Sequence, residues 1–268
     1  MPKIIFTKEE IDTIIRMYQE GKTQEEIGIF FNCTKKPIRR ILKENNIPTN
    51  KRKINRSLKE DYFSNIDNEN KAYLLGLLFA DGSVVPNKDR ETTISLQLLQ
   101  EDSNLLELFR QEINAKSPIQ NNIDGTCRFC IRSNKLAKDL NKYNIIPNKT
   151  YNIHSLPRNI PNKYYKDFLR GYIDGDGSLY FTKENNSFHL SLTSHYIDLV
   201  EDYIKIIYNL LQTPERSKNR KPTFYNNVAK FTLNGFEAYK LAKLLYSEAT
   251  VYCNRKYNKF LEAKKFYN

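Results

Sequence analysis

The sequence contains no long apolar run. The longest extends only from Tyr73 to Ala80, whereas a helix that crosses a bilayer needs about 20 apolar residues. The amino terminus, Met1 to Thr7, also lacks the extended apolar core and the cleavage site of a signal peptide. We therefore expect neither a membrane protein nor a secreted one, but a cytoplasmic protein.

Cysteine is scarce as well, with four residues in a chain of 268. Four cysteines in an intracellular protein of this size imply no disulfide framework. Cys127 and Cys130 form a C-x-x-C pair, but no second pair accompanies them, and structural zinc needs four ligands at compact spacing. The surrounding segment alternates like a strand, which would direct the two thiols to opposite faces. We expect no metal site there.

Acidic residues are fewer than basic ones. The chain has 31 Asp and Glu against 43 Lys and Arg, a formal net charge of +12 and a pI of about 9.3. An excess of this size favours polyanionic partners, nucleic acid first and acidic membrane second. With no membrane segment, the composition predicts a nucleic-acid-binding protein of the cytoplasm, in the nucleoid or in a phage-infected cell.

Residues 1–48 show the pattern of three short helices. Thr7 with Glu10 and Thr23 with Glu26 form capping boxes that open the first two helices. A tight turn and a basic third helix are typical of a helix-turn-helix domain, whose last helix enters the major groove. A plain three-helix bundle with a solvated basic face is the alternative. The predicted DNA contacts on the third helix are Lys35, Lys36, Arg39 and Arg40.

Residues 49–60 form a polar and basic segment that cannot bury a core, and we interpret them as a linker. We expect Lys51, Arg52 and Lys53 to follow phosphates or to enter a minor groove, as basic arms do. A solvated linker without DNA contacts would have the same composition.

Beyond the linker, one sequence pattern occurs twice. Tyr73–Ser83 and Phe168–Ser178 are both apolar runs with a small residue every fourth place, closed by an aspartate and a glycine. The two aspartates, Asp81 and Asp176, are 95 positions apart. A single Asp-Gly after a helix would be an ordinary turn signal, but its repetition at matched offsets predicts two similar halves.

The two predicted halves are residues 61–157 and 158–268. Hydrophobic periodicity predicts the order helix, two strands, helix, two strands, helix in each, which makes the chain an α+β protein after its small all-α domain. Two of the strands alternate between apolar side chains and hydrogen-bonding ones. The polar face suits the reading of base edges, although a solvated sheet face would look the same. The predicted base-reading residues are Ser95, Gln97, His189, Ser191 and Thr193.

The repeated helices also predict a site. Small residues stand at i and i+4 in each helix, as Gly76 and Ala80 and as Gly171 and Gly175. Such a groove lets two helices approach closely, which would place Asp81 and Asp176 side by side, with Gly82 and Gly177 terminating the helices. Two carboxylates at negative helix ends repel each other and the helix dipole. We therefore predict a divalent-cation site, and these oxygen ligands suit Mg²⁺.

The two stretches Leu74–Gly82 and Leu169–Gly177 resemble the paired motifs of the LAGLIDADG homing endonucleases, in the monomeric, two-motif branch. The resemblance covers roughly residues 61–268. It implies a pseudo-symmetric, duplicated αββαββα fold with saddle-shaped antiparallel sheets that lie in the major groove. It also implies that the last acid of each motif binds Mg²⁺.

Carried over residue by residue, the resemblance assigns the metal to Asp81 and Asp176, with the carbonyls of Ala80 and Gly175 as further ligands. Phe79 departs from the motif where the second copy has Asp174, but that position is not a metal ligand in the family. Arg170 is also unusual, and we expect it to face solvent.

Several basic residues complete the predicted site. Arg128 and Lys230 occupy matching places in the repeat, and we nominate both as catalytic residues that orient water or stabilise developing charge. Lys149 and Lys256 resemble recurrent basic positions of the family, and we assign them to phosphate contact or to structure. Arg132 is a further predicted DNA contact.

The leading hypothesis is a monomeric, site-specific double-strand DNA endonuclease of the homing type, intron-encoded or part of another mobile element. It would use Mg²⁺ to hydrolyse phosphodiester bonds in a long, near-asymmetric duplex site. A DNA-binding transcriptional regulator on the same scaffold is one alternative, but such a protein would be expected to lose a motif aspartate. An RNA maturase is another alternative, with intron RNA as its partner, and the sequence does not exclude it.

Overall fold

The computed structural model of the chain describes residues 4–47, 57–149, 152–182, 184, 186–212 and 220–267. The chain divides into two compact units, Met1–Arg56 and Ser57–Asn268. Most of the predicted linker, including Lys51, Arg52 and Lys53, lies outside the described residues. Within the described ranges, no helix has the length and apolar character needed to cross a membrane.

The linker prediction extends too far at its carboxyl end. The backbone N–H of Lys59 donates to the carbonyl of Ile113 at 2.9 Å, and the carboxylate of Glu60 accepts the hydroxyl of Ser133 at 2.6 Å. These bonds tie residues 57–60 to the larger unit. A short polar segment can be fixed by partners that are distant in sequence, and the local composition does not reveal them.

The smaller unit contains three helices, α1 (Lys8–Gln19), α2 (Gln24–Phe30) and α3 (Lys35–Glu44). Both predicted capping boxes are formed, at Thr7 with Glu10 and at Thr23 with Glu26. The three helices enclose their own small core, whose buried members are Ile14, Met17, Ile27, Ile38, Ile41 and Leu42. The unit therefore has its own apolar centre.

A tight turn joins α2 to the basic helix α3. Asn32 adopts a left-handed conformation with φ of 50°, which asparagine tolerates better than most residues. A Cβ atom on Gly28 would lie 2.7 Å from the carbonyl oxygen of Cys33, so only glycine fits where the turn folds back. These two residues fix the angle at which α3 leaves α2.

The larger unit contains the predicted αββαββα order twice. The first half comprises α4 (Glu69–Asp81), β1 (Gly82–Val85), β2 (Thr93–Leu99), α5 (Ser103–Glu112), β3 (Gln120–Asn121), β4 (Thr126–Arg132) and α6 (Asn134–Asn141). The second comprises α7 (Asn162–Asp176), β5 (Ser178–Thr182), β6 (Ser187–Ser194), α8 (Ile197–Leu210), β7 (Thr223–Tyr225), β8 (Val228–Asn234) and α9 (Gly235–Tyr246). A final helix, α10 (Asn254–Tyr267), follows. The predicted α+β fold is confirmed.

Each half builds one four-stranded antiparallel sheet, in the order β1-β2-β4-β3 or β5-β6-β8-β7. In β6 the side chains of Phe188, Leu190 and Leu192 are buried against the helices, as the alternation predicts. Their neighbours on the strand form the opposite, outer face of the sheet. The two sheets and their helices share one continuous hydrophobic core.

Two predicted base-reading residues are not accessible on that outer face. Ser95 is only 4% exposed and Ser191 only 5% exposed, whereas Gln97 and Thr193 are exposed. Both serines lie on central strands, where longer side chains on neighbouring strands cover a short one. Arg128 on β4 covers Ser95 in this way, and its Nη2 donates to Ser95 Oγ at 2.9 Å. The alternation of side chains predicted the correct face of the sheet for both serines, but it did not predict how far each serine is exposed to solvent.

Candidate active site

The motif helices α4 and α7 touch backbone to backbone at their glycines. A Cβ atom on Gly76 would lie 2.1 Å from the carbonyl oxygen of Phe168, and one on Gly171 would lie 2.0 Å from that of Tyr73. No side chain can occupy such a gap. Every residue of α4 from Ala72 to Ala80 is buried, which is typical of a helix at the centre of a core.

This packing brings the two motif aspartates to one place. Asp81 is the last residue of α4 and Asp176 is the last residue of α7, and both side chains reach solvent. A Cβ atom on Gly175 would lie 2.8 Å from Oδ2 of Asp81, so the first carboxylate rests against the end of the second helix. The predicted pairing of the helix ends is therefore present.

Gly82 and Gly177 end the helices for a different reason than expected. Their φ values are −72° and −78°, so neither uses the left-handed conformation that favours glycine at helix ends. A Cβ atom would instead lie 2.3 Å from the carbonyl oxygen of Leu78 or 2.7 Å from that of Ile173. The chain turns into the next strand so tightly that a side chain does not fit.

The electrostatics of the pair are unfavourable to two negative charges. Loss of hydration beside the packed helix ends raises the pKa of Asp81 to about 6, and the charge of Asp176 adds to the rise. Loss of hydration raises the pKa of Asp176 as well. Lys149 and Lys256 oppose both shifts. A bound cation would favour the ionised form of both carboxylates.

Two lysines close the carboxyl ends of the motif helices. Lys149 donates to the carbonyls of Phe79, at 2.7 Å, and Ala80, while Lys256 donates to those of Ile173 and Asp174, each at 2.7 Å, and Gly175, at 3.2 Å. A cation at this end of a helix opposes the negative end of its dipole. Burial lowers the pKa of both lysines. The structure thus places them beside the aspartates and not on the sheet surface.

The donor set suits a hard cation that keeps some of its own water. Among the described residues, no three His, Cys, Asp or Glu side chains gather into a metal cluster. Two carboxylates leave most positions of an octahedral ion to water and to phosphate oxygens, which is how Mg²⁺ is commonly bound. The carbonyls of Ala80 and Gly175 accept hydrogen bonds from the two lysines. Because a carbonyl oxygen has a second lone pair, each can also coordinate a cation.

The nominated catalytic residues Arg128 and Lys230 lie elsewhere. Each is on the outer face of a sheet, in matching register, opposite Gln97 in β2 or Thr193 in β6. The structure records no contact between either side chain and the two aspartates. Arg128 and Lys230 match in the repeat, but the lysines that the structure places beside the carboxylates are Lys149, in a loop, and Lys256, in the first turn of α10.

A recess of about 310 Å³ opens beside Asp176. Its lining includes Lys149, Tyr172 and His195. Burial raises the pKa of the Tyr172 hydroxyl, and the charge of Asp176 raises it further. The matching motif position in the first half is Leu77, so the two halves are chemically unequal at the site. Sequence reasoning did not single out Tyr172, although its contrast with leucine at the same motif position was a signal.

Arg170 does not face solvent, and that expectation is wrong. The side chain is 1% exposed and donates to Asp167 at 2.8 Å and to Glu69 at 2.7 Å. It also donates to the carbonyls of Leu245 and Val251, each at 2.9 Å. A buried guanidinium is tolerable only with such partners. Through Glu69 it fixes α7 to the amino-terminal end of α4.

A second bond network joins the halves near the site. Asp102, at the end of a short 3₁₀ turn after β2, is 4% exposed and accepts Nη2 of Arg255 at 2.6 Å. The Sγ atom of Cys253 donates to the same carboxylate at 3.3 Å. The segment before α10 is therefore anchored on the first half of the unit.

Asp174, the extra acid of the second motif, is engaged inside the protein. It is 5% exposed and accepts the hydroxyls of Tyr73 at 2.8 Å and Tyr246 at 2.5 Å. The backbone N–H of Cys253 donates to it as well, at 2.8 Å. Phe79 takes the matching place in α4 and packs edge-on against Tyr172. The sixth motif position therefore serves the core in both helices.

The chain is similar to several solved structures. The LAGLIDADG meganuclease I-AabMI, solved bound to uncleaved DNA, is 13% identical and aligns over 75% of this chain and 90% of its own, with a TM-score of 0.50. I-LtrWI bound to target DNA is 17% identical and aligns over 77% of this chain and 90% of its own, with a TM-score of 0.46. I-SmaMI bound to cleaved DNA is 13% identical and aligns over 75% of this chain and 89% of its own, with a TM-score of 0.48. No protein-family model and no curated protein matches the chain.

Proposed function

From the LAGLIDADG fold of the larger unit, we propose that this chain is a site-specific endonuclease that cleaves both strands of duplex DNA. The observation that carries the proposal is the meeting of Asp81 and Asp176 at the ends of two packed helices, with a lysine against each end. The shared fold of I-AabMI, a DNA-bound meganuclease, supports the same class of substrate. The net charge of +12 suits a polyanion.

Asp81 and Asp176 would hold Mg²⁺, with the carbonyls of Ala80 and Gly175 as further ligands. Bound Mg²⁺ would supply Lewis-acid chemistry at the scissile phosphodiester. Lys149 and Lys256 lower the pKa of both carboxylates against the effect of burial, which keeps them available as anionic ligands. The two lysines also hold the helix ends that carry the acids.

The outer faces of the two sheets are the proposed DNA-reading surface. Gln97, Arg132, Thr193 and Lys230 are exposed there and carry hydrogen-bonding groups of both kinds. The strands of a β-sheet can enter the major groove, where each base pair shows a distinct pattern of donors and acceptors. A monomer with two unequal halves would read a long, near-asymmetric site.

We propose that the smaller unit is a helix-turn-helix that adds DNA contacts. Lys36 and Arg39 are exposed on α3. Lys35 pairs with Glu25 at 2.6 Å, but both side chains are exposed, and such a pair is weak enough for a phosphate to displace. Nη2 of Arg40 donates to the carbonyl of Ile4 at 2.6 Å and braces the unit.

Deletion of residues 1–56 should weaken DNA binding and shorten the footprint, while the cut position stays the same. The larger unit keeps its own core, so it should remain folded. The slope of log K against log salt should become shallower by about 0.9 per lost phosphate contact. In the full chain, Lys36→Gln should reproduce part of this change and Lys22→Gln, in the loop before α2, should not. An unchanged footprint and slope would contradict the proposal for this unit.

The proposed function is tested by exposing a library of long, randomised duplexes to the full chain with and without Mg²⁺. We expect cleaved products to share one long site, cut on both strands and only when Mg²⁺ is present. A double variant, Asp81→Asn with Asp176→Asn, serves as the control. Sequence-specific binding without any cutting would favour a DNA-binding regulator, and binding to structured RNA alone would favour a maturase.

A further inference from the structure

Three side chains form a cluster on the outer face of the second sheet: Tyr180, His189 and Asn234, here called the His189 cluster. They stand side by side on β5, β6 and β8, since Tyr180 pairs with His189 and His189 pairs with Asn234 across the strands. Their strand neighbours Leu190 and Leu233 are buried, which places the cluster on the face opposite the core.

The hydrogen bond within the cluster determines which ring nitrogen carries the proton. Nδ1 of His189 lies 2.7 Å from Oδ1 of Asn234, and an amide oxygen can only accept. Nδ1 of the neutral ring is therefore the donor, and Nε2 is left with a lone pair. The ring of Tyr180 stacks on the imidazole at 4.7 Å between centroids and 16° between planes, which holds the ring in its orientation.

We propose that His189 reads one base pair of the target by accepting a hydrogen bond at Nε2 from an adenine or cytosine amino group. This inference rests on the proposed function. In the major groove, adenine presents its N6 amino group and cytosine its N4 amino group as donors, whereas guanine O6 and thymine O4 are acceptors. The lone pair on Nε2 can accept a hydrogen bond from adenine or cytosine, whereas guanine O6 and thymine O4 offer it no donor.

The same three positions in the first half carry the opposite chemistry. Val85 pairs with Thr93, and Thr93 pairs with Arg132, in the register that Tyr180, His189 and Asn234 have in the second half. Arg132 is exposed and has only donors. At this point the second half therefore presents an acceptor and the first half a donor, so the two half-sites are read differently.

The test selects bound sequences from a randomised duplex library with the full chain, without divalent metal so that no cutting occurs. Wild type should prefer adenine or cytosine at one position, and His189→Ala should reduce that preference by roughly threefold to tenfold, the loss of one hydrogen bond. Asn234→Asp places a carboxylate beside Nδ1 and favours the doubly protonated ring, in which Nε2 donates, so the preference should shift toward guanine or thymine, whereas Asn234→Ala should weaken it. Tyr180→Phe keeps the stacked ring and should behave like wild type.

Thr93→Ala is the matched control, because it alters the same place in the opposite half and should affect a different position of the site. Melting curves of all variants verify that they are folded. A wild-type preference for guanine or thymine at the position that His189→Ala relaxes would overturn the inference, as would an unchanged profile in His189→Ala. A library that yields no enriched sequence at all would overturn the proposed function, and this inference with it.

Discussion

Gly171→Ala should lower the free energy of unfolding of the larger unit by at least about 4 kcal/mol, a loss that single substitutions rarely reach. The added methyl would lie 2.0 Å from the carbonyl oxygen of Tyr73 and 2.9 Å from its carbonyl carbon. Overpacking against side chains costs about 1–3 kcal/mol because they can rotate away. Here the obstacle is the backbone of a buried helix, so α4 and α7 must separate.

Denaturant unfolding followed by circular dichroism measures this loss. Gly125→Ala is the control, since Gly125 has a φ of 79° and no atom within 4 Å of an added Cβ. Gly125→Ala should lower the free energy of unfolding only by the cost of holding alanine in the left-handed backbone conformation, about 1–2 kcal/mol. Similar losses in the two variants would mean that α4 and α7 do not meet through their glycines.

Asp81→Asn should reduce cleavage of both strands by roughly a thousandfold or more, since removal of one neutral transition-state donor already costs about 10²–10³ in rate. The substitution removes a charged ligand at nearly constant size, so the affinity for duplex DNA should change little. Cleavage of supercoiled and linear DNA, with binding measured on the same preparation, checks both expectations. Ser83→Ala, an exposed neighbour on β1, is the matched control and should cut DNA at the wild-type rate.

The same variant has a stability readout that needs no metal. The folded-state pKa of Asp81, about 6, lies above the unfolded value of about 3.9. Its contribution to stability is therefore fully present below pH 4 and is lost as pH rises through 6. In EDTA, Asp81→Asn should flatten this part of the pH profile and be more stable than wild type at pH 7, by about 1 kcal/mol after allowance for solvent screening. A wild-type profile that is flat between pH 4 and 7 would contradict the shared site.

Local signals predicted much of the fold. The capping boxes at Thr7 and Thr23 need only residues three positions apart, and both are formed. The repeated glycines predicted the contact of α4 with α7, because a groove of small residues on two buried helices has few other uses. These features depend on neighbours in the sequence or on its internal repetition, which the chain itself displays.

Features that depend on distant partners could not be predicted in the same way. Arg170 became a buried residue because Glu69 and two carbonyls near the end of α9 surround it, and none of these is close in sequence. Ser95 lost its exposure to a neighbour on another strand. Lys149 reaches its helix end from a loop and Lys256 from the first turn of α10, and both bond carbonyls that are distant in sequence.

The bond between Arg255 and Asp102 limits how the two halves can be recombined. Asp102 belongs to the first half and is buried, yet its cation comes from the start of the last helix of the second. A hybrid protein that joined residues 57–157 to the second half of another protein would leave the buried carboxylate of Asp102 without its guanidinium partner, which destabilises the folded unit. Engineered chimeras of this chain must therefore carry Arg255 with the first half, or replace Asp102 by an apolar residue.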